Sequence, residues 1–308
     1  MKEFAFQWHI TNLCNLRCRH CYQDDFTSRG SFNIDGIKRI MDKIADELYD
    51  WGININLTGG EPFLREDIFE IMLYLEQTDN VVSYNVITNG VAIRREDMER
   101  MNLLEKLIEV KLSIEHSDAE INDRIRGKGS FAKLMEKYNL LRELCRKKLV
   151  FMYTLAEYNY KDIVSENRMG LLDFAAVKGA DAVILERFVP LGRGRELKQS
   201  CLDEVQWEAV IKAVVDYAGL EMEVDELKDY RAFYIELGDT IEVKGALCNL
   251  GEMTMALMPN GDIYPCRRLP IKIGNIFTDR IIDLMPKIDL LKDKQGCTAL
   301  RHSLQKLE

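Results

Sequence analysis

Six short β-rich segments alternate with helical patterns along the first two thirds of the chain, and this alternation constrains the fold more than any other feature. The segments cover about residues 4–11, 53–58, 82–88, 110–114, 150–154 and 182–189. Between the first two, an apolar stripe at helical spacing indicates core packing. Strand and helix alternation predicts a parallel sheet with right-handed crossovers, and six units fit an incomplete barrel better than a closed eightfold one.

The pattern changes beyond a predicted helix near residues 203–218. A charged stretch over residues 221–229 indicates a transition from the barrel to a separate C-terminal segment. In the segment that follows, Pro259-Asn-Gly-Asp262 is a strong turn signal between two short strands. Such a hairpin brings Cys248 and Cys266 together at its open end. We therefore expect an α/β barrel over residues 1–220 and a small hairpin and helix extension over residues 221–308.

Composition limits the functional classes. The chain has 308 residues, 47% of them apolar, which is enough to bury a substantial core. A net charge of −9 argues against broad nucleic-acid binding, which needs a basic face. The chain contains no apolar run long enough to span a bilayer. Eight cysteines without an export signal predict a soluble protein of the reducing cytoplasm, where thiolates serve metals.

Three cysteines follow the first predicted strand, in Thr11-Asn-Leu-Cys-Asn-Leu-Arg-Cys-Arg-His-Cys-Tyr22. With three and then two residues between them, Cys14, Cys18 and Cys21 can wrap a cubane iron–sulfur cluster and leave its fourth iron without a protein ligand. A structural zinc site wants four closed ligands, and no second cysteine pair follows at zinc-finger distance. A cluster that only carries electrons normally has four cysteines as well. Zinc or plain thiols stay as alternatives.

With this motif the chain resembles the radical S-adenosylmethionine (SAM) superfamily, and further family motifs follow in order along nearly the whole chain. The resemblance implies a partial (β/α)6 barrel, a [4Fe-4S] cluster and SAM. It also implies SAM contacts from His20, beside the adenine; from Gly59-Gly60-Glu61-Pro62, at the methionine amino group; from Asn89 and Ser113, at strand ends; and from Arg126, near the methionine carboxylate. Val189 and Leu191, in the segment Arg187-Phe-Val-Pro-Leu-Gly-Arg-Gly194, would lie along the adenine.

Two residues after Ser113 are candidates for the chemistry itself. Many peptide-modifying relatives carry Asp-Gly after this serine, whereas this chain has Ile114, Glu115 and His116. Glu115 keeps a carboxylate near the substrate on a longer stem. His116 is the more unusual occupant, although a loop histidine is more often a solvent-facing hydrogen-bonding group.

The C-terminal cysteines resemble the opening of the SPASM and twitch extensions, which hold auxiliary iron–sulfur clusters. Twelve residues separate Cys248 from Gly261, and four separate Gly261 from Cys266. The full pattern continues with a dense group of cysteines, whereas only Cys297 follows here. Two auxiliary clusters are therefore excluded, and one cluster on Cys248, Cys266 and Cys297 is expected. A vestigial or zinc-binding remnant is the alternative.

The resemblance implies reductive cleavage of SAM to a 5′-deoxyadenosyl radical that takes hydrogen from a substrate. We expect a ribosomally made peptide or protein as substrate, with a thioether or carbon–carbon link as product. A small-molecule dehydrogenase or a sulfatase-maturation type of oxidation is the alternative, and an iron or redox sensor is the non-enzymatic one. Expected partners are a low-potential electron donor of flavodoxin or ferredoxin type and, since only thirteen residues precede Cys14, a separate leader-peptide-binding protein. No membrane or nucleic-acid partner is expected.

Overall fold

The computed structural model describes residues 2–164, 170–248, 250, 253–292 and 296–305. Its first six strands are parallel neighbours in the order β1 to β6. They are β1 (Lys2–His9), β2 (Trp51–Thr58), β3 (Val81–Thr88), β4 (Leu107–Ser113), β5 (Lys148–Leu155) and β6 (Ala182–Arg187). Each coincides with a predicted segment to within a few residues. The prediction of a parallel α/β sheet is confirmed.

Helices connect these strands. They are α1 (Ile34–Glu47), α2 (Ile68–Gln77), α3 (Arg95–Met101), α4 (Ala119–Arg126), α5 (Ser130–Leu144), α6 (Lys161–Val164) and α7 (Leu171–Val177). A short 3-10 helix, Pro62–Leu64, follows β2, and another, Gly192–Ser200, follows β6. Helix α1 shows how sequence defines an element: Asn33 caps its N-terminus by accepting a 3.0 Å hydrogen bond from the Gly36 amide, and its predicted stripe is buried.

The last barrel helix is α8 (Glu204–Ala218), as predicted. Asp203 and Gln206 form a capping box at its start, and Gly219, with φ +62°, ends it in the left-handed conformation. The rest of the chain contains α9 (Val224–Leu227), β7 (Ala232–Glu236), β8 (Glu242–Ala246), β9 (Thr254–Leu257), β10 (Asp262–Tyr264), β11 (Gly274–Asn275), α10 (Ile281–Asp289) and α11 (Thr298–Gln305).

The C-terminal strands extend the barrel sheet at both edges. β7 pairs antiparallel with β6, and β8 pairs with β7. β9 pairs parallel with β1 on the opposite edge and forms the predicted hairpin with β10, which pairs with β11. The described strands thus join one mixed sheet in the order β11-β10-β9-β1-β2-β3-β4-β5-β6-β7-β8. The division into domains at residue 220 stays a prediction.

Chain length shows that this sheet is curved. Ala246 ends β8 and Thr254 begins β9, eight residue steps later. In a flat sheet the eight strand spacings between β8 and β9 would measure about 38 Å. Eight residue steps reach at most about 28 Å. The sheet must therefore curl until β8 approaches β9, as an incomplete barrel does.

The curl buries a large core. Phe4, Phe6 and Trp8 of β1 are buried on one continuous apolar cluster with the inner faces of the helices. Within the described residues, no helix is both long and apolar enough to cross a bilayer. The carboxyl ends of β1 to β6 lie at one end of the curled sheet, where α/β barrels build their sites.

Candidate functional site

A cavity opens at the carboxyl ends of the parallel strands and gathers residues from each motif of the first 194 residues. Residues that sequence analysis singled out and that line it are Cys14, Cys18, His20, Cys21, Gly59, Gly60, Asn89, Ser113, Glu115, Arg126 and Val189. Glu61, Pro62, His116 and Leu191 lie close to these in sequence but are not part of the cavity wall.

The loop that carries the three cysteines is fixed by the backbone that follows β2. The amide of Gly60 donates to the Thr11 carbonyl and the amide of Glu61 donates to the Leu13 carbonyl, both at 2.8 Å. This approach leaves no room for a side chain, because a Cβ on Gly60 would lie 2.3 Å from the Leu13 carbonyl oxygen. The glycine pair therefore serves loop packing as well as lining the cavity.

The segment after β6 holds the other side of the cysteine loop. The amide of Gly194 donates to the Cys21 carbonyl at 3.0 Å, and Nε of Arg193 donates to the Cys18 carbonyl at 3.3 Å. Gly192 has φ +57°, and a Cβ there would lie 2.4 Å from the Tyr22 carbonyl. Sequence analysis assigned this segment to the adenine alone and missed its packing on the loop.

The chemistry of the three thiols fits a metal cluster. Burial raises the pKa of Cys14, Cys18 and Cys21, that of Cys21 to about 12, so the thiolates need a bound cation to persist. Among the residues that the structure describes, no three His, Cys, Asp or Glu side chains converge on a position for a single metal ion. A preformed mononuclear site is thus absent from these residues, whereas a cubane binds each thiolate through a different iron.

Glu61 is buried next to the cavity but is not part of the cavity wall. Its carboxylate accepts hydrogen bonds from Oγ1 of Thr88 at 2.6 Å, from the Asn89 amide at 2.7 Å and from the Phe63 amide at 3.2 Å. Burial raises the pKa of Glu61 despite these donors. The side chain of Asn89 then reaches Asn15 in the cysteine loop at 2.8 Å. Glu61 thus links the ends of β2 and β3 to that loop.

Glu115, Arg126 and His20 form one contact group in the cavity wall. Oε1 of Glu115 lies 2.9 Å from Nη1 of Arg126 and 3.3 Å from Nε2 of His20. Its Oε2 accepts a 3.2 Å hydrogen bond from the Thr154 amide. Burial alone would lower the pKa of Arg126, but Cys18 and Glu115 raise it above its usual value. The group therefore places a guanidinium, paired with the Glu115 carboxylate, beside the cysteines.

His116 turns away from this group. Its Nδ1 accepts a 2.9 Å hydrogen bond from the Asp118 amide and lies 3.4 Å from Oδ2 of Asp162. Asp162 in turn accepts from the hydroxyl and amide of Ser117. These contacts hold the His116 side chain in the turn that leads into α4.

A half-buried tyrosine and a buried histidine lie next to the cysteine loop. The Tyr22 hydroxyl lies 3.0 Å from Nε2 of His9 and 3.3 Å from the Gly59 carbonyl oxygen. Burial, with a smaller contribution from the Arg267 charge, lowers the pKa of His9 to about 3. His9 is therefore neutral at pH 7, and sequence analysis gave no signal for it.

The three C-terminal cysteines lie outside this cavity wall. Sγ of Cys248 lies 3.7 Å from Oγ1 of Thr298, the residue after Cys297. Sγ of Cys266 accepts a 3.5 Å hydrogen bond from the Arg268 amide, and the Arg268 side chain lies within electrostatic reach of Cys266 and Cys297. One arginine thus faces two of the three thiols.

Sequence analysis missed an ion cluster that joins the C-terminal region to the cavity. Glu186, at the end of β6, lies 3.0 Å from Arg267, 3.2 Å from Arg231 and 3.5 Å from Arg268. Burial on its own would raise the pKa of Glu186, but Arg268, Arg267 and Arg231 lower it to about 2. Glu186, Arg267 and Arg268 all line the cavity. The sequence signal was the pair of arginines directly after Cys266.

Comparison with known proteins agrees with the family resemblance found in the sequence. The sequence profile of the radical SAM superfamily matches residues 8–166, which is 159 of the 308 residues. The antilisterial bacteriocin subtilosin biosynthesis protein AlbA of Bacillus subtilis (strain 168) is 29% identical over 289 residues, covering 90% of this chain and 59% of AlbA. The mycofactocin maturase MftC of Mycobacterium ulcerans (strain Agy99) is 28% identical over 290 residues, covering 88% of this chain and 71% of MftC.

A solved structure shares the fold. Streptococcus suis SuiB bound to its precursor peptide SuiA superposes with a TM-score of 0.66 at 16% identity, covering 92% of this chain and 64% of SuiB. SuiB bound to SAM gives the same TM-score at 17% identity, covering 95% of this chain and 69% of SuiB. The chain thus spans about three fifths of the length of AlbA and about two thirds of that of SuiB.

Proposed function

The chain belongs to the radical SAM superfamily, and we propose that it is a peptide maturase that removes hydrogen from a ribosomally made peptide. Membership of the family implies a [4Fe-4S] cluster and SAM. The observation that carries the proposal is the convergence of Cys14, Cys18 and Cys21 on the cavity that Gly59 and Gly60 also line. When bound, the reduced cluster and SAM supply a 5′-deoxyadenosyl radical that abstracts a substrate hydrogen.

The residues of this chain hold the components in position. Cys14, Cys18 and Cys21 would bind three irons, on a loop that the backbone after β2 and the segment after β6 hold on two sides. Arg126 presents a buried positive charge that suits the methionine carboxylate, and Glu115 orients it. The apolar and aromatic wall near Phe188 and Val189 suits an adenine ring.

Several relatives support a peptide substrate. AlbA serves biosynthesis of the bacteriocin subtilosin, MftC is a mycofactocin maturase, and SuiB has been solved with its precursor peptide. The oxidative outcome that we propose is a thioether or carbon–carbon link. We further propose a low-potential donor of flavodoxin or ferredoxin type and a separate protein that binds a leader peptide.

We also propose one auxiliary iron–sulfur cluster on Cys248, Cys266 and Cys297. One contact and one electrostatic interaction support it: Cys248 lies against the start of α11, directly after Cys297, and the Arg268 charge interacts with both Cys266 and Cys297. A guanidinium near two of the ligands would offset the negative charge of a bound cluster. Charge and hydrogen bonding of this kind also tune a cluster's potential.

Anaerobic reconstitution tests both cluster sites. We expect about eight irons per chain, with about four left after Cys266→Ala and a separate loss of about four after Cys14→Ala. Cys145→Ala is the matched control, because Cys145 ends α5 at its C-cap and belongs to neither set. About four irons in the native chain, lost only with the N-terminal cysteines, would exclude the auxiliary cluster.

Turnover tests the activity. With reductant and SAM, the holoenzyme should release 5′-deoxyadenosine, and Cys14→Ala should not. Short peptides encoded beside the gene should lose the mass of two hydrogens in the same reaction. Release of 5′-deoxyadenosine with no mass change in any of these peptides would contradict the peptide substrate and favour a small-molecule one.

A further inference from the structure

The cavity wall carries more positive than negative side chains, although the chain as a whole has a net charge of −9. Its guanidinium groups belong to Arg126, Arg187, Arg267 and Arg268, and its carboxylates to Glu115 and Glu186. Four cations against two anions leave a surplus of two positive charges, with histidine neutral. A buried charge surplus is costly unless a ligand balances it.

Half of this surplus lies around Glu186, and the other half belongs to Arg187, whose Nη2 donates to the Leu202 carbonyl at 3.3 Å. Arg126 has its own partner in Glu115 at 2.9 Å. Among the described residues, Glu186 is the carboxylate that pairs with Arg267 and Arg268, and it also contacts Arg231 outside the cavity wall. Within the wall, one carboxylate therefore balances only one of the two guanidinium groups of Arg267 and Arg268. Lys111, buried nearby, already pairs with Glu109 at 3.2 Å and leaves this balance unchanged.

Arg267 and Arg268 also have unused hydrogen-bond donors. Their side chains are 7% and 9% exposed, and Nε of each is buried with no hydrogen-bond partner among the described residues. Arg267 lies 5.4 Å above the ring of Tyr22 and beside His9, both neutral at pH 7. Each arginine therefore keeps one guanidinium donor that no described residue satisfies.

The cofactors do not remove the surplus. A cubane held by three thiolates is anionic, whereas SAM is cationic, because its sulfonium and ammonium groups outnumber its single carboxylate. Together they leave the charge of the cavity about the same. Thiolates at Cys266 and Cys297 would offset part of the Arg268 charge. Arg267 would still require an anion, and the substrate is the remaining source.

We propose that Arg267 and Arg268 form a carboxylate-binding subsite that orients an anionic substrate in the cavity. The ligand is an acidic side chain or a C-terminal carboxylate, since the two guanidinium groups match planar, bidentate acceptors. That the carboxylate belongs to a peptide rests on the proposed function. Glu186 is a positioning residue, which holds both arginines at the cavity wall.

Small probes test this subsite without turnover. Ligand-observed NMR on the anaerobic holoenzyme, with SAM and no reductant, measures binding of N-acetylglutamate α-amide, which has only a side-chain carboxylate, and N-acetylalanine, which has only a terminal one. N-acetylglutamine α-amide is the neutral match. We expect at least one charged probe to bind about tenfold more tightly than the neutral one. Which charged probe binds identifies the source of the carboxylate.

Substitutions assign the binding to the arginines. Arg267→Gln and Arg268→Gln should each weaken the charged probe about tenfold, and Arg267→Lys should give an intermediate affinity because it keeps the charge. Arg95→Gln is the control, since Arg95 is exposed on α3. Iron content and circular dichroism identify a misfolded variant. If a Gln variant is misfolded, the proposal is judged on Arg267→Lys alone, and unchanged probe affinity in that variant overturns it.

Three other results overturn the proposal: equal binding of charged and neutral probes, no binding of either charged probe, or a loss of SAM affinity in the Gln variants with probe affinity unchanged. The last would assign the arginines to the methionine carboxylate. Release of 5′-deoxyadenosine is measured separately. An enzyme that turns over SAM but ignores the probes lacks this subsite, whereas one that binds the probes without cleaving SAM contradicts the proposed function alone.

Discussion

Nη1 of Arg126 donates a hydrogen bond to Oε1 of Glu115 at 2.9 Å, and both side chains are buried. The pair joins the end of α4 to the turn after β4. Each group balances the other's charge, so the cavity wall tolerates both. Removing one partner leaves an uncompensated buried charge, which is far more destabilising than removing both.

Glu115→Gln should therefore lower the free energy of unfolding by about 3 kcal/mol. The double variant Glu115→Gln/Arg126→Gln should cost less than the sum of the two single variants, because the second change removes the orphaned charge. Denaturant unfolding of the metal-free chain measures both. Purely additive effects would mean that the two groups do not stabilise each other.

The exposed pair Arg95 and Glu99 is the comparison for these single and double variants. Its side chains are both 61% exposed and its closest atoms are 3.7 Å apart. Removing either partner should change the free energy of unfolding by less than about 0.5 kcal/mol.

Gly60→Ala should disrupt cluster binding. A Cβ at this position would lie 2.3 Å from the Leu13 carbonyl oxygen and 2.5 Å from that of Asn12, so the backbone before Cys14 must shift. We expect the iron content after anaerobic reconstitution to lose the share of the N-terminal site. Gly238→Ala is the control, because its Cβ would meet Thr240 at an ordinary 3.6 Å. Full iron binding by Gly60→Ala would show that the loop can move without loss of function.

Acid should destabilise the chain over two overlapping pH ranges, and the one that begins at higher pH belongs to His9. Its pKa is 6.5 in the unfolded chain and about 3 in the folded one. As pH falls below 6.5, the unfolded chain binds a proton that the folded chain refuses, so stability falls. Between pH 6.5 and 5.5 the loss from His9 should be about 1 kcal/mol. His9→Gln should lack this slope in denaturant titrations of the metal-free chain.

Tyr22→Phe separates the causes of that slope. It removes the hydroxyl 3.0 Å from His9 but keeps the ring that buries the histidine. Because burial is the largest cause of the shift, the slope should persist in this variant. Its disappearance would assign the effect to the hydroxyl instead.

Glu186 accounts for the second range. Its pKa is lowered from 4.5 to about 2 by the three arginines, against the effect of burial. Its contribution is present above pH 4.5 and is lost as pH falls towards 2, roughly 3 kcal/mol in full. Glu186→Gln should be less stable at pH 7 and should show a shallower loss over this range. An identical acid slope in both chains would contradict a charged Glu186.

Local sequence predicts the parallel half of the fold well. Each of the strands β1 to β6 has an apolar or alternating pattern that is visible within eight residues, and helix α8 has a capping box at its start. Asn-Gly within Pro259-Asn-Gly-Asp262 likewise identifies the hairpin turn.

Such local patterns do not predict how the C-terminal strands pair. β7 alternates correctly, with Phe233 and Ile235 buried, but it lies between charged stretches that read as a transition. That β9 pairs with β1 depends on residues about 250 positions apart, because Phe6 faces Met255. Register across such a separation is set by the curl of the whole sheet.

The same limit applies to the candidate site. Spacing identified the cysteines and the glycine pair, because those residues act through local backbone geometry. Glu186, Arg267 and Arg268 meet only after the sheet has curled, so no local spacing connects them. His116 lies three residues after a motif serine, yet the turn into α4 directs it towards Asp118 and Asp162.

The position of β9 beside β1 has a consequence for solubility. Without the residues from Thr254 onward, β1 would form the rim of the sheet and expose a row of unpaired backbone donors and acceptors. Phe4, Phe6 and Trp8 alternate along that strand and would make it a template for another molecule. The hairpin thus protects the barrel against intermolecular strand pairing, and a version shortened before it should aggregate.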